Sequence, residues 1–515
     1  MKRILKPWDK TDIVALLAAI TTGLYITVFY VTNNLTMFQL DATLVLFGIL
    51  MALIVTPIAI INWLLPVLGK GGLKQTVAVF VIGVFLVSCL RPGLSGLGFV
   101  DAFFGFFGGQ RSIFANTLFV VTPAALLTMV FKTNVQKLAI VLGVMTVAAL
   151  AMNFDNITES AIEIAATKKL SPELRSIDLK EKPNIYFILV DGYSSFAYMR
   201  EQGIDISLLT KYLSSNGFRM YDDTYSNYQP TTSAMAAILN MEHHYYSLNT
   251  NLVNFSEVTK QSRVIIGGEN NLAHILKRNG YSIQYIHQSN YLLLQGCSAD
   301  SCFPQNDRWA GLWIVLGKVF NEYLSKEKTI EEMRQQVRTL IDDVDNAPRF
   351  QYIHAIHLPG HVSRKALRLA NCDENAEVKK YASRVAKAGN YLQVQINEII
   401  GRDPGAVVVI AGDHGPLISR KCSFDSKINT LSEYRDRAGA IMAIRWSKNY
   451  DGRYDDRMVS GVNLFRYVLA SLAENEASLL ETAVPDDVFI RAGKPIFKVI
   501  DNGKPLNTPV LYTDN

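Results

Sequence analysis

Five apolar runs crowd the first 152 residues, at approximately 12–31, 43–67, 73–90, 113–131 and 138–152. A helix that crosses a bilayer needs about 20 mostly apolar residues. Inside lipid, backbone N–H and C=O groups find no partner but each other. The first two runs clear that length, and the last is the shortest. Several such runs in succession point to a multi-pass bundle, not to a cleaved signal peptide. Composition agrees, since only 19% of the chain is charged, against about 25% in an ordinary soluble domain.

The net charge of +5 belongs to this half. Residues 1–152 hold ten Lys/Arg and four Asp/Glu, whereas the remainder holds 41 and 42. A near-neutral second half has no basic footprint for nucleic acid. Lys2, Arg3, Lys6, Lys10, Lys70, Lys74, Lys132 and Lys137 fall on one side of a five-span bundle, and Arg91 and Arg111 on the other. Cytoplasmic loops collect Lys and Arg. The N-terminus is therefore expected in the cytoplasm and everything after residue 153 outside it. Four spans would place the second half inside. Cysteine usage bears on the same point. Cys89 lies in the third run, and Cys297, Cys302, Cys372 and Cys422 form an even set beyond the bundle. A Cys297–Cys302 bridge, with Cys372–Cys422 as a second, fits an oxidising compartment; the alternative is four unpaired thiols. With no CxxC pair, zinc-finger ligation is the lesser reading.

Domain boundaries follow from these shifts: a transmembrane domain over 1–152, a juxtamembrane helix and linker over 153–183, and a catalytic domain over 184–515. From residue 184 strands alternate with helices. NIYFILVD, SIQYIH, FQYIHAIHL and AVVVIAGDHG read as strands, while ISLLTKYLSSNG, TSAMAAILNM, NLAHILKRNGY and the stretch from Glu377 to Ile400 read as helices. Such alternation predicts an α/β fold with a largely parallel sheet.

In open α/β sheets, ligands bind beyond the carboxyl ends of the strands. Two apolar strands here end in metal-type side chains. One runs into Asp191 and the other into Asp413 and His414. Alone, each strand-end Asp reads equally well as a helix cap. Side by side, the two strands bring three ligands to one crevice. Between them in sequence, SNYQPTTSAMAAILNM places Thr231, Thr232 and Ser233 at the start of a helix. A helix N-terminus offers free N–H groups and a positive dipole end to a phosphoryl or sulfuryl group. A bound cation makes a threonine alkoxide accessible near neutral pH. Without the two strand ends, these hydroxyls read as helix caps.

Taken in order and spacing, PNIYFILVDGYS, NYQPTTSAMAAILNM and VVVIAGDHGP resemble the alkaline phosphatase superfamily, and within it the sulfatase-like branch. That branch includes membrane-anchored phosphoglycerol transferases of the lipoteichoic acid synthase type and lipid A phosphoethanolamine transferases. The resemblance spans 184–470, and five spans before an extracytoplasmic domain extend it to the N-terminus. It implies an alkaline-phosphatase-like domain with Asp191, Thr231, Asp413 and His414 as ligands of one Zn²⁺ or Mn²⁺. Thr231, also the implied nucleophile, is preferred to Thr232 or Ser233 because it follows Asn227 by four residues. His361 is the implied phosphate contact. His357, in place of an aspartate, leaves a second metal site incomplete, since no histidine follows His414. Arg420 stands as a substitute phosphate-binding cation. Thr231-Thr232-Ser233-Ala234-Met235 lacks the Cys/Ser-x-Pro-x-Arg pattern that formylglycine sulfatases need.

The expected activity is transfer of a phospholipid headgroup, phosphoglycerol or phosphoethanolamine, to an envelope glycan or glycolipid through a phosphothreonine. Phosphodiester hydrolysis by the same site, or lipid sensing without catalysis, are the alternatives. The expected setting is a bacterial inner membrane with the catalytic domain on its periplasmic side.

Overall fold

The computed structural model describes residues 10–32, 44–53, 55–56, 71–94, 113–131, 134–152, 174, 177–243, 262–294, 296–304, 328–342, 347–356, 358–360, 373–418, 430–491 and 496–511. Those up to residue 152 form one compact unit, and those from 174 onward another.

In the first unit, the helix Lys10–Thr32 packs on Val135–Met152, and Gly71–Leu94 packs on Ile113–Phe131. Small and branched residues make the contact, among them Ala18, Ala19, Val79, Ile82, Leu138 and Leu142. A Cβ added at Gly83 would lie 3.1 Å from the Ala124 backbone, tighter than an ordinary contact, so a side chain there would push the two helices apart by a few tenths of an ångström. Polar groups are satisfied within the helices: Thr22, Thr128 and Thr146 each donate to the carbonyl four residues back, at 2.6, 2.7 and 2.8 Å. The outer faces are apolar, with Met129, Val144 and Val147 about two-thirds exposed. Among the described residues one helix, Val135–Met152, is by length and apolarity able to cross a membrane. The apolar helices Ile13–Phe29, Leu44–Leu53, Thr76–Val87 and Val120–Phe131 are shorter among the described residues.

The second unit is built on a seven-stranded sheet. Its strands are β1 (Ile185–Val190), β2 (Arg219–Tyr221), β3 (Ser282–His287), β4 (Ser301–Phe303), β5 (Arg349–Ala355), β6 (Val407–Gly412) and β7 (Met442–Arg445). The spatial order is β2-β7-β6-β1-β5-β3-β4. β6, β1, β5, β3 and β4 run parallel, as the alternation of strands and helices predicts. β7 and β2 add an antiparallel edge, so the sheet is mixed. β1 shows why its sequence is a continuous apolar run. Ile185, Phe187 and Leu189 face one core with Met235, Ile238 and Phe465. Tyr186, Ile188 and Val190 face the other with Tyr381, Val385 and Leu392. Both faces of a parallel strand are covered, so no polar alternation survives.

The helix of the second core spans Glu374–Arg402, with Asp373 capping it by accepting from the Ala376 N–H at 3.2 Å. A separate antiparallel sheet, β8 (Val488–Arg491), β9 (Ile496–Asp501) and β10 (Lys504–Leu511), closes the chain. Cys297 and Cys302 are joined by a disulfide. Cys372 and Cys422 lie outside the described residues.

Candidate active site

Strand register does most of the assembly. β1 and β6 lie side by side, with Val190 opposite Gly412. The chain then continues to Asp191 on one strand and Asp413 on the other, so two carboxylates emerge together at the carboxyl edge of the sheet. His414 joins them. Its Nε2 is 3.4 Å from Asp191 Oδ1 and 3.4 Å from Asp413 Oδ2. One ligand atom from each of the three residues lies within 4.8 Å of the others, and all three residues are buried. The other imidazole nitrogen, Nδ1, is 2.7 Å from the Gly415 carbonyl. A carbonyl only accepts, so Nδ1 carries the proton and donates. Nε2 thereby faces the carboxylates, and on giving up its proton to a cation it would present the tautomer that metal-binding histidines use.

Neighbouring backbone holds this geometry. Asp413 Oδ1 accepts from the Gly192 N–H at 2.8 Å. Gly192 has φ 65°, a left-handed turn that a side chain resists. Tyr381 fixes the same turn: its hydroxyl donates to the Gly192 carbonyl at 2.9 Å and accepts from the Ser194 N–H at 2.9 Å. At Gly415 a Cβ would lie 2.2 Å from the Asp436 carbonyl oxygen, so the loop after His414 packs there only as glycine. Tyr381 was not legible as a site residue, because in sequence it is one more core position of an amphipathic helix.

The helix Thr231–Asn240 points its start at the carboxylates. Its N-cap is Pro230, and no side chain caps its first turn. The first helical bond runs from the Ala234 N–H to the Pro230 carbonyl at 2.9 Å. The earlier N–H groups are thus left for an anion. Of the three hydroxyls weighed as nucleophile, that of Thr231 is near enough to Asp413 to lower the pKa of its carboxyl. Ser233 is fully buried. Gln229 Nε2 and Ser233 Oγ, either side of Thr231 in sequence, are buried and make no hydrogen bond among the described residues.

Burial pushes the Asp413 carboxyl above its ordinary pKa; the His414 charge opposes this and Asp191 adds to it. At His414 burial works downward, yet the Asp413 and Asp191 charges outweigh it and hold the imidazole above its usual value. Asp413 Oδ2 is buried and accepts no hydrogen bond among the described residues. Two carboxylates, an imidazole and a hydroxyl are donors that zinc or manganese take. The donor set therefore fits a divalent cation.

His357, His361 and Arg420 lie outside the described residues. His354 is buried on β5 against His287 of β3, ring centroids 5.6 Å apart. His243, just beyond the helix that Thr231 starts, lines neither the metal crevice nor the surface. It is 3% exposed, with Nε2 2.8 Å from the Pro485 carbonyl and Nδ1 2.8 Å from the Tyr228 hydroxyl. Burial lowers its pKa from 6.5 to about 4. A depressed folded pKa means that the unfolded chain binds the proton first. The stabilisation is complete above pH 6.5 and is lost as pH falls toward 4. That span corresponds to roughly 3 kcal/mol. Thermal unfolding of the full chain in detergent is expected at a lower temperature at pH 4.5 than at pH 7. In His243→Asn, which does not titrate, that drop is expected to shrink.

A family model described as Sulfatase matches residues 183–472, more than half of the chain. The chain belongs to the sulfatase family. This places it in the sulfatase-like branch of the alkaline phosphatase superfamily. No curated protein matches its sequence. Among solved structures, this sulfatase-family chain is similar to the C-terminal periplasmic domain of EcEptC from Escherichia coli. The identity is 11% and the TM-score 0.40, over 67% of this chain and 97% of that one. It is also similar to the integral membrane protein lipooligosaccharide phosphoethanolamine transferase A from Neisseria meningitidis. There the identity is 10% and the TM-score 0.39, over 89% and 95%. A third is an alkaline phosphatase superfamily protein from Vibrio parahaemolyticus, at 12% and 0.40 over 66% and 83%. At these identities and scores, no residue's role passes from them to this chain.

Proposed function

We propose that this sulfatase-family chain is a metal-dependent phosphotransferase that moves a phospholipid headgroup through a covalent Thr231 intermediate. The observation that carries the reading is the meeting of Asp191, Asp413 and His414 at one buried point, with Thr231 at the first position of the helix beside them and its hydroxyl lowering the Asp413 pKa. Asp191, Asp413, His414 and Thr231 are the residues proposed to hold one Zn²⁺ or Mn²⁺. When bound, such an ion lowers the cost of the threonine alkoxide and offsets charge on the phosphoryl oxygens.

The chain's own part is the following. Thr231 Oγ1 attacks the phosphorus of a headgroup diester, and the bond from phosphorus to the diacylglycerol oxygen breaks. Thr231 loses a proton toward the Asp413 carboxylate, and diacylglycerol gains one, so the step balances. The first-turn N–H groups of Thr231–Asn240 bind the non-bridging oxygens. An acceptor hydroxyl on an envelope glycan or glycolipid then attacks the phosphothreonine and frees Thr231. His361, His357 and Arg420 are proposed as further phosphate contacts. A threonine nucleophile without the formylglycine pattern disfavours sulfate-ester hydrolysis.

The setting follows from the first unit. Its exposed Met129, Val144 and Val147 suit lipid better than water, and the Cys297–Cys302 bridge suits an oxidising compartment. The proposal is therefore a multi-pass bacterial inner-membrane protein, N-terminus cytoplasmic, with residues 184–515 periplasmic. Purified protein incubated with phosphatidylglycerol or phosphatidylethanolamine is expected to release diacylglycerol, faster when an envelope glycan is added. Release that ignores the glycan identifies a hydrolase. No release from any phospholipid removes the lipid donor from the proposal.

A further inference from the structure

The family match ends at residue 472, yet the chain beyond it reaches back to the loop that delivers the nucleophile. Asn227 is the meeting point. Its side chain is 1% exposed and fully used. Nδ2 donates to Ser460 Oγ at 2.9 Å and to the Asp487 carbonyl at 2.8 Å. Oδ1 accepts from the Val462 N–H at 2.7 Å. Its backbone is tied as well, the Asn227 carbonyl accepting from the Phe489 N–H at 2.9 Å.

The residues on either side follow suit. Tyr225 exchanges backbone hydrogen bonds with Val459 and Gly461, at 2.9 and 3.0 Å. The Tyr228 ring stacks on Phe489 with centroids 5.6 Å apart and planes 11° off parallel. The Tyr228 hydroxyl closes through His243 onto Pro485. Gly461 brings the clamp against the nucleophile helix itself, since a Cβ there would lie 2.8 Å from Ile238 Cγ1. The segment 225–228 is thus threaded between 459–462 and 485–489, three residues before Thr231.

We infer that Asn227 is a positioning residue: by locking residues 225–228 between the 459–462 turn and β8, it sets where the helix bearing Thr231 begins. This deepens the phosphotransferase reading and rests on it for its kinetic consequence. Asp191, Asp413 and His414 are held by other means, through β1, β6 and Tyr381. Loss of the clamp therefore moves Thr231 and spares the other three cation ligands. A displacement of about 1 Å at a reacting atom costs on the order of 100-fold in rate. Asn227, Ser460, Val462 and Asp487 are at most 2% exposed, so ground-state binding is expected to be left alone.

The test uses the full chain in detergent, with bis(4-nitrophenyl) phosphate as a model diester, Zn²⁺ or Mn²⁺ titrated separately, and hydrogen exchange. In Asn227→Ala, kcat is expected to fall about 100-fold, with KM within about twofold of the parent and cation affinity reduced by no more than in Thr231→Ala. Amide exchange over 225–235 is expected to speed up relative to β1 and β6. Ser460→Ala removes one of the three side-chain bonds and is expected to show a smaller change of the same kind, which covers the case in which Asn227→Ala fails to fold. Unchanged kcat and unchanged exchange in a folded variant overturn the inference. So does a rise in KM together with a loss of cation affinity greater than in Thr231→Ala, which marks general loosening. If the parent turns over no diester, the functional reading fails while the exchange comparison still decides the clamp.

Discussion

Replacing Thr231 with alanine is expected to abolish transfer while leaving the other three cation ligands in place. Asp191, Asp413 and His414 are placed by strand register, by the Gly192 turn and by the Gly415 carbonyl. None of these contacts passes through Thr231. A divalent cation therefore still binds Thr231→Ala through those three side chains, more weakly for the lost ligand, and the folded domain unfolds within a few degrees of the parent. Turnover of a phospholipid is expected to drop by about a thousandfold or more, since covalent catalysis has no second route without its nucleophile. The sharper readout is mass spectrometry of the peptide containing Thr231 after incubation with phospholipid. The parent is expected to carry an adduct on Thr231 whose mass distinguishes phosphoglycerol from phosphoethanolamine. Thr231→Ser is expected to keep a measurable fraction of activity, because the hydroxyl remains. Ser233 is fully buried, so Ser233→Ala is expected to retain an adduct at Thr231. An adduct that moves to Thr232 or Ser233 in the parent would reassign the nucleophile.

The sequence showed the two strand ends clearly because parallel strands buried on both faces cannot hide. IYFILV and VVVIAG have no polar residue until the carboxylates appear, and the break in pattern is itself the signal. Thr231 was legible for a different reason: proline followed by small hydroxyl residues marks a helix start, and only the nearby carboxylates gave it chemistry. The antiparallel edge was not legible. β2 is three residues long and β7 four, too short for an alternation to register. Tyr381 was invisible because a buried tyrosine at helical spacing reads as packing, and its hydroxyl partners are backbone atoms 187 and 189 residues away. Asn227 was visible only as a spacing before Thr231. Its partners at 460, 462 and 487 are set by tertiary contact, which no local pattern encodes. The membrane half shows the complementary case, where composition speaks to environment more directly than to packing. Leucine, valine and alanine suit both a lipid-facing surface and a helix contact, and only coordinates separate Ala18 or Ile82, buried, from Val144 and Val147, exposed.

Removing the divalent cation is expected to silence the enzyme and to reverse the way its stability depends on pH. Chelation should reduce phospholipid turnover to background, with Zn²⁺ or Mn²⁺ restoring it. The pH argument runs through His414 and Asp413, both of which sit above their ordinary pKa values in the fold, for the reasons of burial and neighbouring charge given above. A group whose folded pKa is raised contributes stability below its unfolded pKa and loses it as pH rises through the folded value. The unfolded references are 6.5 for histidine and 3.8 for aspartate. The chelated protein should therefore lose stability as pH rises past His414's folded value, where three buried groups are left with two negative charges and no imidazolium. The cation acts in the opposite sense. It requires a neutral imidazole and ionised carboxylates, so protons compete with it and its affinity grows with pH. At a concentration about 100 times its dissociation constant, a bound ion stabilises the fold by about 2.7 kcal/mol. The gap in unfolding temperature between metal-loaded and chelated protein is therefore expected to be wider at pH 8 than at pH 6, and Asp413→Asn is expected to narrow it at both. A gap that is equal at the two pH values, or wider at pH 6, would show that His414 does not give up its proton to a cation at this site.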